Sequence, residues 1–173
     1  MTEKMAAAIC EQIGRELAAH LEYLSIAAHF DADGLPELTR FFSAQAQEEH
    51  DHAMKFLAYV MEAGGPVTLP GVDGPRQTFA SAEEAVELSL EWEKAVTGHI
   101  NDLVDLALEQ NDHATRAMLD WFVTEQVEEV AVMGELLQVV RRAGEGGLLL
   151  VEDYVARSAA AAGAGAGEGA APA

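Results

Sequence analysis

Four long stretches of the chain carry apolar residues at the spacing of an amphipathic α-helix. They cover about residues 5–31, 36–63, 82–110 and 113–143. A helix with one apolar stripe must bury that stripe against other helices. Because all four stretches fit within 173 residues, the sequence predicts an all-α chain that folds as a single four-helix bundle.

The connections between these stretches predict how the helices are arranged. Short breaks at Asp33-Gly34 and Asn111-Asp112 make the flanking helices antiparallel neighbours. Residues 64–81 instead hold three of the five prolines and show no helical period. These ~18 residues can span ~60 Å, whereas a helix of ~28 residues is only ~42 Å long. We therefore expect one long crossover loop that makes the second and third helices parallel, with Ser81-x-x-Glu84 as a capping box where the third begins.

After residue 143 the long amphipathic stretches end, and the sequence becomes rich in glycine and alanine around one short apolar segment. A glycine-rich break is followed by LLLVEDYVAR at residues 148–157, which predicts a short fifth helix of about ten residues. Its apolar composition favours burial in an assembly. Residues 158–173 are rich in alanine and glycine and are expected to be disordered. The predicted organisation is one helical domain over residues 1–157 and a disordered tail over residues 158–173.

Each of the four predicted stripes contains polar residues among the apolar ones. They are Glu16 in the first helix, Glu49 and His52 in the second, Glu93 in the third, and Gln126 with Glu129 beside it in the fourth. A buried carboxylate without a partner is costly, so one on every inward face indicates ligands to a shared cation. The Glu49-x-x-His52 spacing puts a carboxylate and an imidazole on one helical face.

The ligand types indicate which metal such a site would take. Carboxylates with a single imidazole suit iron or manganese better than zinc. Hard oxygen ligands stabilise Fe(III) relative to Fe(II), so bound Fe(II) becomes easier for O2 to oxidise. Gln126 supplies a neutral amide where a further carboxylate could stand. This pattern predicts two unequal metal positions, the second held more weakly, as a site that oxidises iron and then releases it requires.

The charge, cysteine content and apolar runs of the chain indicate which kinds of partner and compartment to expect. The formal net charge is −20, from 30 acidic and 10 basic residues, which argues against nucleic-acid binding and favours either cation attraction or simply a solvated acidic surface. Cys10 is the only cysteine, so an intrachain disulfide is excluded. The first residues lack an uninterrupted apolar segment, and nowhere are ~18 apolar residues consecutive. We therefore expect a cytoplasmic protein without a membrane partner.

Four motifs carry a resemblance to a known family. They are R-E-L-A-A-H-L-E-Y at 15–23, A-Q-E-E-H-D-H at 46–52, L-E-W-E-K at 90–94 and W-F-V-T-E-Q-V-E-E at 121–129. Over about residues 5–157 the chain resembles the ferritins, and most closely the bacterial non-haem ferritins of actinobacterial type. The resemblance implies a ferritin-like bundle with one crossover and a short C-terminal helix. It also implies ferroxidase activity and a homo-oligomeric cage of twenty-four subunits that stores ferric mineral.

The resemblance also implies roles for individual residues. Glu16, Glu49 and His52 would bind the first iron, with Glu49 bridging, and Glu93 would bind the second beside Gln126. Tyr23 matches the tyrosine that lies beside the ferroxidase site. The residues that match a third iron site, facing the cavity, are Glu48, Glu125, Glu128 and Glu129.

Some positions leave alternatives open. Bacterioferritins have Glu-x-x-His on the fourth helix as well, whereas this chain has Gln126-x-x-Glu129, and their haem-binding methionine is replaced by His50, so haem is not expected. His20 follows Glu16 by one turn and is either a packed histidine or an additional group at the metal site. Two other functions remain as hypotheses: a passive storage shell without fast ferroxidase activity, and a di-metal carboxylate oxidase acting on an organic substrate.

Overall fold

The computed structural model of the chain describes residues 1–167 and confirms the helical bundle. Over that range the helices are α1 (Glu3–Ala32), α2 (Pro36–Glu62), α3 (Ala82–Glu109), α4 (His113–Ala143) and α5 (Leu148–Gly167), with one 3₁₀ turn at Glu145–Gly147. The four long helices agree with the predicted bounds to within two residues. Helix α1 packs mainly on α2, and α3 packs mainly on α4.

Side-chain caps fix where three of the long helices begin. Thr2 accepts a hydrogen bond from the Met5 amide at 3.1 Å, and Asp112 accepts one from the Thr115 amide at 3.0 Å. Ser81 accepts from the Glu84 amide at 3.1 Å, as the predicted capping box requires. Such bonds satisfy backbone donors that have no partner within their own helix.

Helix α2 is capped by a residue that lies far away in the sequence. Its own N-cap residue, Leu35, makes no side-chain hydrogen bond. The carboxylate of Glu152 on α5 instead accepts from the amides of Glu37 and Leu38, at 2.8 Å each. Glu152 is buried, and its negative charge lies against the positive end of the α2 dipole. This contact attaches α5 to the bundle.

The crossover loop runs along α1 for almost the whole length of that helix. Gly65 lies against Ala6, the Thr68 amide lies 3.5 Å from Cys10 Sγ, and Pro70 packs on Gly14. Further on, the Arg76 amide donates to both carboxylate oxygens of Glu22, and Phe79 packs on His29. Successive residues of the loop thus contact successive residues of α1, so the two segments run in the same direction. Since α1 and α2 are antiparallel, the loop returns the chain to the start of α2, and α3 runs parallel to α2 as predicted.

The core consists of two apolar clusters with a polar layer between them. One cluster contains residues near Phe30 of α1 and Phe42 of α2 together with α5, and the other contains residues near Ile9 of α1 and Phe56 of α2. In each long helix the polar residues of the stripe fall between the segments that supply the two clusters. The bundle therefore collects the polar residues of four helices at one level of its axis. We call this layer the polar belt; its members are Glu16, Glu49, His52, Glu93, Gln126 and Glu129.

The fifth helix is longer than predicted. It was expected to have about ten residues and to end at residue 157, but α5 continues to Gly167. Part of the expected disordered tail is thus helical, because alanine has the highest helix propensity and the run after residue 158 is mostly alanine. The rest of that prediction, residues 168–173, lies outside the described residues. Val151 and Val155 are buried, whereas Leu149 and Leu150 are 78% and 70% exposed.

Three large apolar residues at the edges of the helical stripes lie at the surface. Leu24, Leu108 and Val123 are 43%, 53% and 38% exposed. In α4 the neighbouring Phe122 is buried instead. Adjacent residues differ by 100° around a helix, so a stripe read from sequence can be wrong by one position at its edge.

Candidate metal centre

Three residues of the polar belt come together in the middle of the bundle. Glu16 of α1 and Glu49 and His52 of α2 each offer a ligand atom, and these atoms all lie within 4.8 Å of one another. Their side chains are buried, with 1%, 1% and 5% of the residue exposed. His52 Nδ1 lies 3.7 Å from Glu49 Oε2, too far for a hydrogen bond but within reach of an ion held between them. The ring of His52 is fixed by the edges of Trp121 and Phe122.

Glu16 is positioned by a relay on its own helix. Gln12, which is fully buried, donates from Nε2 to Glu16 Oε1 at 2.9 Å. Arg15 in turn donates to Gln12 Oε1 at 3.1 Å. The relay leaves Glu16 Oε2 free to point at a ligand. Sequence reasoning missed Gln12, although a polar residue one turn before Glu16 and beside Ile13 was a signal that could have found it.

Helices α3 and α4 complete the belt on the opposite side. Tyr23 of α1 donates its hydroxyl proton to Glu93 Oε1 of α3. The Thr97 hydroxyl, one turn after Glu93, lies 2.8 Å from the Glu93 main-chain oxygen and 3.0 Å from the Gln126 side-chain oxygen on α4, so these two acceptors share its one proton. This contact places the side-chain amide of Gln126 beside Glu93. The structure therefore brings Tyr23, Glu93 and Gln126 to the same layer as the first three residues.

Burial, and then the charges of neighbouring carboxylates, disfavour the ionisation of the belt glutamates. Burial, together with the charge of Glu49, raises the pKa of Glu16 well above its ordinary value. Burial and then the charge of Glu93 raise the pKa of Glu49 in the same direction. Burial raises the pKa of Glu93 from 4.5 to about 7, against a lowering contribution from the Tyr23 hydrogen bond. Without a cation, the bundle therefore opposes the ionisation of all three carboxyl groups.

Three carboxylate oxygens of the belt have no hydrogen-bond donor. Within residues 1–167, Glu16 Oε2, Glu49 Oε2 and Glu93 Oε2 are buried and find no partner. Buried oxygen acceptors are rarely left in this state, because each one costs about 1–3 kcal/mol. A cation held between Glu16 and Glu49, whose ligand atoms lie within 4.8 Å of each other, would satisfy those two carboxylates, and Glu93 on α3 would need a cation on its own side of the belt. The donor set is rich in hard oxygen atoms and has one imidazole, which fits iron.

A groove beside the belt, between α2, α4 and α5, is lined by acidic residues together with Arg40 and apolar side chains such as Phe41 and Leu136. The groove has a volume of about 810 Å³, and its lining includes Glu48, Glu125, Glu128 and Glu129. Burial raises the pKa of Glu48, and the charges of Glu125 and Glu128 add to that rise. Burial and the charge of Glu93 raise the pKa of Glu129 from 4.5 to about 8. Glu129 thus belongs to the belt and also lines the groove.

Comparison with known proteins identifies chains related to this one. Residues 6–143 match the family described as the Ferritin-like domain. The chain belongs to the ferritin family. It is 40% identical over 158 residues to the ferritin BfrB of Mycolicibacterium smegmatis, covering 91% of this chain and 87% of that one. It is 33% identical over 157 residues to the bacterial non-heme ferritin of Campylobacter jejuni, covering 90% and 94%.

A solved structure extends the likeness to three dimensions. The open pore ferritin of the hyperthermophilic archaeon Archaeoglobus fulgidus superimposes with a TM-score of 0.87 at 38% identity, covering 90% of this chain and 96% of that one. The predicted family and the ferritin-like fold are therefore confirmed. Among the described helices, none combines the length and the apolar composition needed to cross a lipid bilayer.

Proposed function

We propose that this ferritin binds two Fe(II) ions in the polar belt, oxidises them with O2 and passes Fe(III) to a cavity where it is stored as mineral. Glu16, Glu49 and His52 hold the first ion, Glu49 bridges the two, and Glu93 holds the second beside Gln126. Iron is the substrate and the stored product, so no organic cofactor is required. Each Fe(II) gives up one electron, and the two electrons with two protons from water reduce one O2 to hydrogen peroxide.

The observation that carries this proposal is the set of unpartnered carboxylate oxygens in the belt. Glu16 Oε2, Glu49 Oε2 and Glu93 Oε2 come from three helices and are buried at one level of the bundle. A passive core would gain stability from apolar residues at these positions. The protein retains charges that raise one another's pKa, which indicates selection for binding a cation.

Release from the centre is supported by the position of Glu129. The charges that raise its pKa belong to Glu93 in the belt and to Glu48, Glu125 and Glu128 in the groove. A cation leaving the second position, where Gln126 supplies no charge, meets Glu129 next. We assign these four groove residues to a third iron site on the route to the cavity. The cavity itself is proposed to form in a homo-oligomeric cage of twenty-four subunits in the cytoplasm.

The proposal is tested by the rate at which the metal-free protein oxidises Fe(II) in air. Glu49→Ala removes the bridging carboxylate and should abolish the rapid rise in Fe(III) absorbance. Glu62→Ala, at the exposed end of the same helix, is the matched control and should keep the wild-type rate. Circular dichroism and particle size should be unchanged in both. A wild-type rate in Glu49→Ala would refute the assignment of the centre.

The two other functions give different results in the same assay. A passive shell would accumulate mineral no faster than buffer oxidises Fe(II), in wild type and variant alike. A di-metal oxidase of an organic substrate would bind two Fe(II) ions but retain them after oxidation instead of releasing Fe(III) for further turnover. Repeated additions of Fe(II) to one sample, each oxidised rapidly, would distinguish the storage function from both.

A further inference from the structure

Two histidines on neighbouring helices form a pair outside the polar belt. His20 of α1 and His50 of α2 have ring centroids 5.8 Å apart with an interplanar angle of 59°. Both residues are half-buried, and the His50 side chain is 42% exposed. His20 follows Glu16 by one helical turn, and His50 follows Glu49 directly. The pair therefore lies next to the buried centre and is partly exposed on the single subunit.

The hydrogen bond made by His20 fixes the nitrogen that it can offer to a metal. His20 Nδ1 lies 2.7 Å from the main-chain oxygen of Ala46. A carbonyl oxygen can only accept, so Nδ1 carries the proton and donates it. In the neutral ring the lone pair then lies on Nε2. A histidine that donates one N–H to a carbonyl and presents the other nitrogen is arranged as metal-binding histidines are.

His50 is arranged in the same way by a carboxylate. Its Nδ1 lies 3.2 Å from Asp51 Oδ1, an atom that only accepts when the carboxylate is ionised. Gln47 Nε2 donates to the same Asp51 oxygen at 2.9 Å and lies 3.4 Å from His50 Nδ1. Because the ionised Asp51 carboxylate can only accept, the 3.2 Å contact places the proton on His50 Nδ1. His50 Nε2 is left with its lone pair, in the carboxylate–histidine arrangement that increases the basicity of a ligand.

The separation of the two rings suits a shared ion. A first-row divalent cation binds an imidazole nitrogen at about 2.1 Å, and that nitrogen lies about 1.1 Å from the ring centroid. Two imidazoles on one ion therefore have centroids about 4.5–6.4 Å apart, depending on the angle at the metal. The observed separation of 5.8 Å falls within this range. With a net charge of −20, the chain also attracts cations to this surface.

We propose that His20 and His50 form a site for one divalent transition-metal cation, bound through the two Nε2 atoms and completed by water. Asp51 and the Ala46 carbonyl hold the rings without touching the ion. Imidazole ligands suit Cu²⁺, Zn²⁺ and Fe²⁺ and select against Mg²⁺ and Ca²⁺. This site is separate from the belt and does not depend on the function proposed above.

The first test uses Cu²⁺ as a spectroscopic probe, added at one ion per subunit to the metal-free assembled protein. Electron spin-echo spectroscopy counts the imidazoles bound to copper. The belt triad has only one, His52, so a two-imidazole spectrum reports on the proposed site. His20→Ala and His50→Ala should each reduce the spectrum to at most one imidazole. His113→Ala, an exposed histidine at the start of α4, is the control and should leave two.

The second test counts Zn²⁺ ions by equilibrium dialysis followed by elemental analysis. The doubly substituted protein, with His20→Ala and His50→Ala, should bind one ion per subunit fewer than wild type and the His113→Ala control. Glutamine at both positions gives the same comparison with a polar side chain, in case alanine loosens the packing of α1 on α2. Equal Zn²⁺ counts, or a two-imidazole copper spectrum that persists in either single variant, would overturn the proposal.

Discussion

Replacing Glu93 by glutamine should make the metal-free protein more stable at high pH while destroying its proposed function. Glutamine has nearly the same shape, and its amide oxygen can still accept the Tyr23 hydroxyl proton. The substitution removes only the buried carboxyl whose ionisation the bundle opposes. In the metal-free state, that ionisation has no cation to offset it.

The magnitude follows from the pKa of Glu93, which burial raises from 4.5 in the unfolded chain to about 7 in the bundle. The native state then holds the proton more tightly, so stability is greatest below pH 4.5 and falls until about pH 7. Each pKa unit corresponds to about 1.4 kcal/mol, giving about 3 kcal/mol in all. About 2 kcal/mol of this loss falls between about pH 5 and pH 8. Glu93→Gln abolishes that part of the pH dependence.

The assay is thermal unfolding of metal-free protein, in chelator, at about pH 5 and pH 8. At about 2–4 °C per kcal/mol, the difference in Tm between Glu93→Gln and wild type should grow by about 4–8 °C from the lower to the higher pH. Glu91→Gln, an exposed residue two positions away on α3, is the control and should show no such growth. A Tm difference for Glu93→Gln that is constant with pH, or that shrinks as pH rises, would refute the reasoning.

Three further substitutions test parts of the fold and of the centre. Glu152→Gln leaves one buried α2 amide without an acceptor, so α5 should open more readily, by about 1–2 kcal/mol, measured as faster amide exchange in α5 with the long helices unchanged. Gly14→Ala places a Cβ inside the contact distance of Pro70 Cγ and should lower the Tm. Gly98→Ala has nothing within 4 Å of its Cβ and should raise the Tm by removing a helical glycine. Equal changes in Tm would contradict the packing of the crossover on α1. Tyr23→Phe removes the donor to Glu93 and should slow Fe(II) oxidation without changing how many ions bind; an unchanged rate would exclude Tyr23 from the reaction.

The polar belt was predictable because its residues interrupt an otherwise regular pattern. Glu49, His52 and Glu93 occupy apolar stripes, and the helical period alone places each of them inward. The four-helix bundle and its long crossover were predictable from the lengths of the helices and loops. The period of each helix does not show which residues of different helices lie opposite one another. That alignment came from the resemblance of the four motifs to a known family.

Contacts that depend on the register between distant segments were not predictable. Glu152 caps α2 from more than a hundred residues away, and nothing in LLLVEDYVAR marks its only glutamate as a cap. The pairing of His20 with His50 depends on how α1 slides along α2, which the period of each helix leaves open. The extension of α5 was missed because alanine-rich, glycine-containing sequence is compatible with both disorder and helix.

The central claim, a dinuclear iron centre in the polar belt, is tested most directly by anaerobic titration of the metal-free protein with Fe(II), followed by Mössbauer spectroscopy before and after exposure to air. The wild-type protein should bind two Fe(II) ions per subunit in two distinct environments, and both should become Fe(III) on exposure to air. Glu93→Gln should retain the first environment and lose the second. A single environment in the wild type, or an unchanged pair of environments in Glu93→Gln, would contradict the account.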